Sequence, residues 1–149
     1  MGEPAYCIDT LRPHQVERAY LLMHAVARDL TLADWQHAVG SLFRREEIVT
    51  ATNPIGVVQG LCIYRIREHV TAGRLLDIPF LVATSAGDQE GVAAVLFRYL
   101  KERARTDGCG SIRVWSLTAD NWRRMQDAAF IERWDHGVMM MVATAPVLN

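Results

Sequence analysis

The chain has 149 residues, of which half are hydrophobic and 22% charged, with a formal net charge of −1. This length suits a single domain over residues 1–149 with a real core, and is too short for two comfortable ones. The near-neutral balance argues against a nucleic-acid binder that works by phosphate neutralisation, and no apolar run approaches the roughly 18 residues of a membrane span.

The opening residues carry Glu3 early and lack a basic-then-apolar leader pattern. Tyr6 stands where a myristoylation signal needs Ser or Thr. Cys7, Cys62 and Cys109 are odd in number and far apart, which suits free thiols in a reducing cytoplasm. His14, His24, His37, His69 and His136 are scattered, and no CxxC or HExxH spacing exists, so no metal is expected.

Residues 5–12 read as a first strand, with Tyr6 and Ile8 on one face, and Pro13 suits the first turn of a helix. Val16, Ala19, Tyr20, Met23, Val26 and Ala27 then recur at helical spacing. Thr31 is placed to cap a second helix that buries Leu32, Trp35, Val39, Leu42 and Phe43. The run Arg44-Arg45-Glu46-Glu47 reads as the solvated end of that helix. From residue 48 the period changes. Residues 48–52, 57–67 and 74–83 read as strands of a meander, turned by Asn53-Pro54-Ile55-Gly56 and Thr71-Ala72-Gly73. Residues 91–105 read as a helix with Val92, Val95, Leu96, Tyr99 and Leu100 on one stripe. It ends at Asp107-Gly108-Cys109-Gly110, where glycine commonly stops a helix. A strand over 111–117, a short helix over 121–128 and a strand over 130–143 broken near Asp135-His136-Gly137 complete the chain. The order predicts a mixed α/β domain whose strands at 74–83 and 111–117 are parallel, because a helix connects them.

The most informative stretch is 75–99. An apolar strand ends in small residues, meets Gly91 and enters an amphipathic helix. Unpaired N–H groups and the positive end of a helix dipole make such a corner an anion site. Here Asp88-Gln89-Glu90-Gly91-Val92-Ala93 resembles, from its glycine onward, the Q/R-x-x-G-x-G/A loop of the GNAT superfamily of N-acetyltransferases. A second stretch, from Asn121 to Phe130, is similar to the family's helix ending in Tyr-x-x-x-Gly-Phe. The element order agrees with the family over nearly the whole chain. The resemblance implies a mixed, mostly antiparallel sheet flanked by helices. It implies acetyl-CoA as cosubstrate, with the diphosphate held by backbone N–H groups of Gln89, Glu90, Gly91, Val92, Ala93 and Ala94. It places the pantetheine arm along Leu81, Val82 and Ala83, as an added strand, and brings Asn121 against it. Without a Cβ, Gly91 lets a phosphate approach the backbone.

The chain departs from the pattern at informative places. Asp88 replaces the Gln or Arg that opens the loop, and Glu90 adds a second acid. Ala129 replaces the glycine of the second stretch, and Met125 stands where the family tyrosine protonates the departing thiolate, a task a thioether cannot perform.

The implied reaction passes an acetyl group directly to a primary amine of a small molecule or peptide. It needs alignment, a proton acceptor and an oxyanion donor, for which the N–H of Val82 or a neighbour is suited. Asp77 and Glu68 are the carboxylates expected near the cleft to act as base. Water, Tyr20, Tyr64 or Tyr99 stand in as proton donor, and Cys109 lies too far along the chain to carry the acyl group. The first two helices, with Met23, Asp29, Asp34, Trp35 and His37, would shape the acceptor side but name no amine. Two other readings remain: a non-catalytic acyl-CoA-binding or regulatory domain, and a homodimer built on the apolar stretch Val138-Met139-Met140-Met141-Val142.

Overall fold

The computed structural model of the protein describes residues 6–41, 43–84, 87–133 and 135–142. Leu42, Ser85, Ala86 and Ala143 of the sequence reading lie outside them. The elements run β1 (Cys7–Thr10), α1 (Val16–Val26), α2 (Leu32–Ser41), β2 (Ile48–Thr52), β3 (Val58–His69), β4 (Gly73–Ala83), α3 (Gln89–Thr106), β5 (Ser111–Trp115), α4 (Asn121–Arg124), α5 (Ala128–Ile131) and β6 (Gly137–Met141). The six strands form one sheet in chain order, β1 to β6. Every neighbouring pair is antiparallel except β4 and β5, which the α3 crossover makes parallel. Among the described residues no helix is long and apolar enough to cross a membrane.

The turns follow from their side chains. The Asn53 carboxamide oxygen accepts the N–H groups of Ile55 and Val57, and Gly56 takes a φ of 87°, which closes the β2–β3 hairpin. The sheet then separates two apolar layers. On one face Leu61, Ile63, Phe80 and Val82 pack with Leu22, Met23 and Trp35 of α1 and α2. On the other, Cys62, Tyr64, Leu76 and Ile78 pack with Val92, Leu96 and Leu100 of α3. Gly60 admits the start of α3: a Cβ there would stand 2.5 Å from Val92 Cγ1 and 2.9 Å from Leu96 Cδ1. That close approach sets the position of the helix N-terminus beside the end of β4.

The register of β3 against β4 holds the feature that shapes the site. Ile63 faces Phe80, yet Arg65 faces Asp77, so β4 carries one extra residue around Ile78-Pro79. This β-bulge bends the strand and turns its later side chains over. Leu76 and Ile78 face α3 before it; after it Phe80 and Val82 face α1 and α2. Pairing between β4 and β5 ends at Ile78 opposite Val114, whereas β4 continues to Ala83. A gap opens between the two strands. Pro79 sits at its start, where a missing N–H breaks no ladder bond.

Several boundaries differ from the sequence reading. The helix of 91–105 begins earlier, at Gln89. The helix expected over 121–128 is two short ones, and Phe130 belongs to the second rather than to a strand. The last strand is confined to Gly137–Met141. The run Arg44-Arg45-Glu46-Glu47 does not end a helix: Arg44 and Glu46 are exposed, as expected, but residues Arg45–Glu47 form a 3-10 turn and Glu47 is buried in an ion pair with Arg65.

Candidate functional site

The open side of β4 presents backbone groups. Thr84 donates its N–H to the Gln59 carbonyl at 2.9 Å, and its neighbours in register are Ala83 opposite Gly60 and Val82 opposite Leu61. Antiparallel partners alternate between bonded and non-bonded pairs. Phe80 and Val82 therefore bond to β3, while Leu81 and Ala83 direct N–H and C=O into the gap. The expected oxyanion donor is Val82 or a neighbour; the Val82 amide belongs to the ladder, and the neighbouring Leu81 amide points away from it.

Asn121 closes the narrow end of the gap. Its Nδ2 donates to the Pro79 carbonyl at 3.0 Å and to the Ser116 carbonyl at 2.8 Å, and its Oδ1 accepts from Thr118 Oγ1 at 3.1 Å. The side chain is buried, and it ties the two diverging strands together. This corrects the expectation that Asn121 reaches a ligand, because both Nδ2 hydrogens are already committed to backbone carbonyls.

The corner at α3 is narrower than the sequence implied. Val92 is buried, and its N–H closes the first helical turn on the Asp88 carbonyl at 3.1 Å. The amides of Ala93 and Ala94 follow it into the helix. The donors without an intrahelical partner are those of Gln89, Glu90 and Gly91. Asp88 holds the N-cap position, yet its side chain caps no N–H. Instead Tyr6 Oη donates to Asp88 Oδ2 at 2.7 Å. Both carboxylate oxygens lie against Gly91, 2.3 and 2.4 Å from where a Cβ would stand. With the carboxylate in this position, a side chain at residue 91 would have to push it aside.

Asp77 corrects a second expectation. It is fully buried, and its oxygens accept from Arg113 Nε at 2.8 Å, Trp115 Nε1 at 2.7 Å, Arg113 Nη2 at 2.9 Å and Arg67 Nε at 3.1 Å. Those bonds fill all the lone-pair sites of a carboxylate, so none is left for an amine proton. Arg113 continues the network to the carbonyls of Ile131 and Arg133, which fastens the chain after α5 to β5. Burial holds the Arg67 guanidinium below its ordinary pKa, against the pull of Asp77. The sequence offered no signal for this cluster, because its members come from three strands with no fixed spacing. Glu68, the other expected base, is exposed and ion-paired with Arg74 at 3.0 Å. It lies opposite Arg74 in the register, roughly 20 Å along β4 from Leu81.

Tyr20 donates its hydroxyl to the Leu30 carbonyl at 2.8 Å. Burial raises the pKa of the Tyr64 hydroxyl, so it stays protonated. Burial also pushes the Cys62 thiol up to about 12 and raises that of Cys109, which leaves neither a ready thiolate nucleophile. Met125 is buried in the core beside α1 and α2. His136, passed over in the sequence, stacks on Phe130 with ring centroids 4.1 Å apart and meets the Trp115 ring edge-on at 4.6 Å. Neither of its buried nitrogens has a hydrogen-bond partner among the described residues. Desolvation, with the Arg113 charge second, holds its pKa below 6.5.

No family profile matches the sequence, and no curated protein does. Solved structures do match. An aminoglycoside N-acetyltransferase in complex with CoA superposes with a TM-score of 0.66 at 13% identity, over 99% of this chain and 95% of that one. A GNAT family N-acetyltransferase from Escherichia coli, also in complex with CoA, gives 0.60 at 16%, over 96% and 86%. A transcriptional regulator from Bacillus halodurans gives 0.63 at 16%, over 86% and 90%. The chain therefore has the GNAT acetyltransferase fold.

Two outcomes follow for the buried groups. Asp77→Asn lowers stability by about 3–5 kcal/mol in urea denaturation, since it leaves Arg113 and Arg67 without their counter-charge; unchanged stability would refute the structural role. For His136 the unfolded chain binds a proton that the folded chain resists, so its contribution is present above pH 6.5 and is lost as pH falls below that. The thermal midpoint accordingly drops on acidification from neutral pH, and it drops less in His136→Phe, which keeps the stacking.

Proposed function

We propose that this protein is an acetyl-CoA-dependent N-acetyltransferase that passes the acetyl group directly to a primary amine. The observation that carries the reading is the divergence of β4 from β5, where Leu81 and Ala83 turn backbone groups away from β3 beyond the last β4–β5 pair, ahead of the first-turn amides of Gln89, Glu90 and Gly91, which have no intrahelical acceptor. An extended pantetheine chain is the kind of ligand that completes such an edge by adding a strand. The diphosphate then meets the positive end of α3. Two neighbours with this fold were solved in complex with CoA, which supports CoA as the ligand.

In this reading the amine nitrogen attacks the thioester carbonyl carbon. The oxyanion forms at the Leu81 N–H, the carbon–sulfur bond breaks, and the thiolate leaves with its electron pair and takes up a proton from water. Asp77 and Glu68 are not placed to accept the amine proton, so the amine attacks in its neutral form, its nitrogen becomes cationic, and that nitrogen gives one proton to water, balancing the proton that water supplies to the thiolate. The buried, protonated thiols favour direct transfer over an acyl-cysteine intermediate. Free Cys7, Cys62 and Cys109 support a cytoplasmic setting.

A second reading, a non-catalytic acyl-CoA-binding or regulatory domain, is favoured by the Asp88 carboxylate over Gly91. It is also favoured by the absence of a hydroxyl at Met125 and by the fold shared with a transcriptional regulator. Titration calorimetry with acetyl-CoA decides the first point: no binding at millimolar ligand sinks both readings. CoA release over a panel of amines then supports the enzyme, and binding without release supports the second. Ala83→Pro removes one open amide without touching the ladder and weakens acetyl-CoA about tenfold, the worth of one hydrogen bond. The homodimer rests on β6, an edge strand whose Val138 and Met141 side chains are 62% and 84% exposed. Sedimentation velocity yielding a monomer at micromolar concentration would remove it.

A further inference from the structure

We propose that Tyr6 and Asp88 form a displaceable latch on the diphosphate site, in which the chain's own carboxylate stands in for the phosphate until CoA expels it and Tyr6 transfers its hydrogen bond to the incoming phosphate. The proposal rests on the acyl-CoA reading above. Its ground is a pair of contacts between distant parts of the chain. Tyr6, just ahead of β1, packs on the α3 side of the sheet and sends its hydroxyl to Asp88 Oδ2 at 2.7 Å. That bond draws the carboxylate away from the usual N-cap geometry, in which the side chain would accept from amides two or three residues on. The carboxylate instead fills the space over Gly91, within 2.4 Å of a Cβ position, and accepts from no helix amide.

An anion thus lies at the positive end of α3 while the Gln89, Glu90 and Gly91 donors have no intrahelical acceptor and none in the Asp88 side chain. A diphosphate cannot share that space with it, because like charges at contact repel and the volume over Gly91 is single. Binding therefore requires the Asp88 side chain to swing out toward solvent. The vacated Tyr6 hydroxyl is left facing a phosphate oxygen, which accepts the same proton that Asp88 accepted before. Asp88 thus sets the threshold for cosubstrate binding, and Tyr6 becomes a binding residue. A ligand that ends before the diphosphate leaves the latch closed.

The test is calorimetry of CoA and of pantetheine, which lacks the diphosphate, on the full chain. The variants are Asp88→Ser, which removes the charge and keeps a helix-capping hydroxyl, and Asp88→Ser combined with Tyr6→Phe. Asp88→Ser tightens CoA tenfold or more and leaves pantetheine unchanged; adding Tyr6→Phe gives back a substantial part of that gain. Equal CoA affinity in the parent and Asp88→Ser, or an equal gain for pantetheine, overturns the latch while CoA binding upholds the acyl-CoA reading. CoA bound by none of the proteins overturns both.

Discussion

One extra residue in β4 organises this molecule. At Ile78-Pro79 the strand bulges, and beyond it β4 keeps its ladder with β3 but loses β5. A parallel pair that stayed in register to its ends would bond Leu81 and Ala83 to β5 and leave nothing for a ligand. The bulge also turns over the side chains, so that Phe80 and Val82 enter the layer under α1 and α2 while Leu81 and Ala83 border the α3 layer. Proline at the start of the gap is consistent with this, since it has no N–H to strand there.

Two devices keep the separation open at a fixed width. Asn121 spans the diverging ends with bonds to the Pro79 and Ser116 carbonyls. Farther along the paired part, the Asp77 carboxylate of β4 gathers Arg67 from β3 and Arg113 and Trp115 from β5. A buried charge of this kind is tolerated because every lone pair is engaged and two guanidinium groups face one carboxylate. The excess positive charge is shared with the Ile131 and Arg133 carbonyls. The same charge, behind desolvation, disfavours a proton on His136.

The helix corner carries the opposite logic. Its first-turn donors have no intrahelical acceptor, its dipole favours an anion, and the anion beside it is a side chain of the chain itself. Gly91 therefore has two explanations that a sequence cannot separate: room for a phosphate, or room for Asp88. The structure shows the close approach of the Asp88 carboxylate to Gly91.

The strand-like runs at 48–52, 57–67 and 74–83, set off by turn residues, and the helical stripe of Val92, Leu96 and Leu100 were enough to determine the element order, the meander and the parallel crossover, because local residue pattern and connection length set those. The apolar stripes also assigned α1, α2 and α3 as layer-forming helices. What the sequence could not carry was pairing at a distance. Asp77 looked like an available carboxylate until arginines from β3 and β5 surrounded it. Glu68 looked near the cleft until the hairpin register placed it at the far end of the strand. Tyr6 and Asp88, 82 positions apart, meet only because Tyr6, at the start of β1, projects onto the sheet face that α3 covers. Side-chain type and spacing are local quantities and were legible; the strand register, the bulge and the partners of buried charges are set by the packed sheet, and tertiary structure alone decided them.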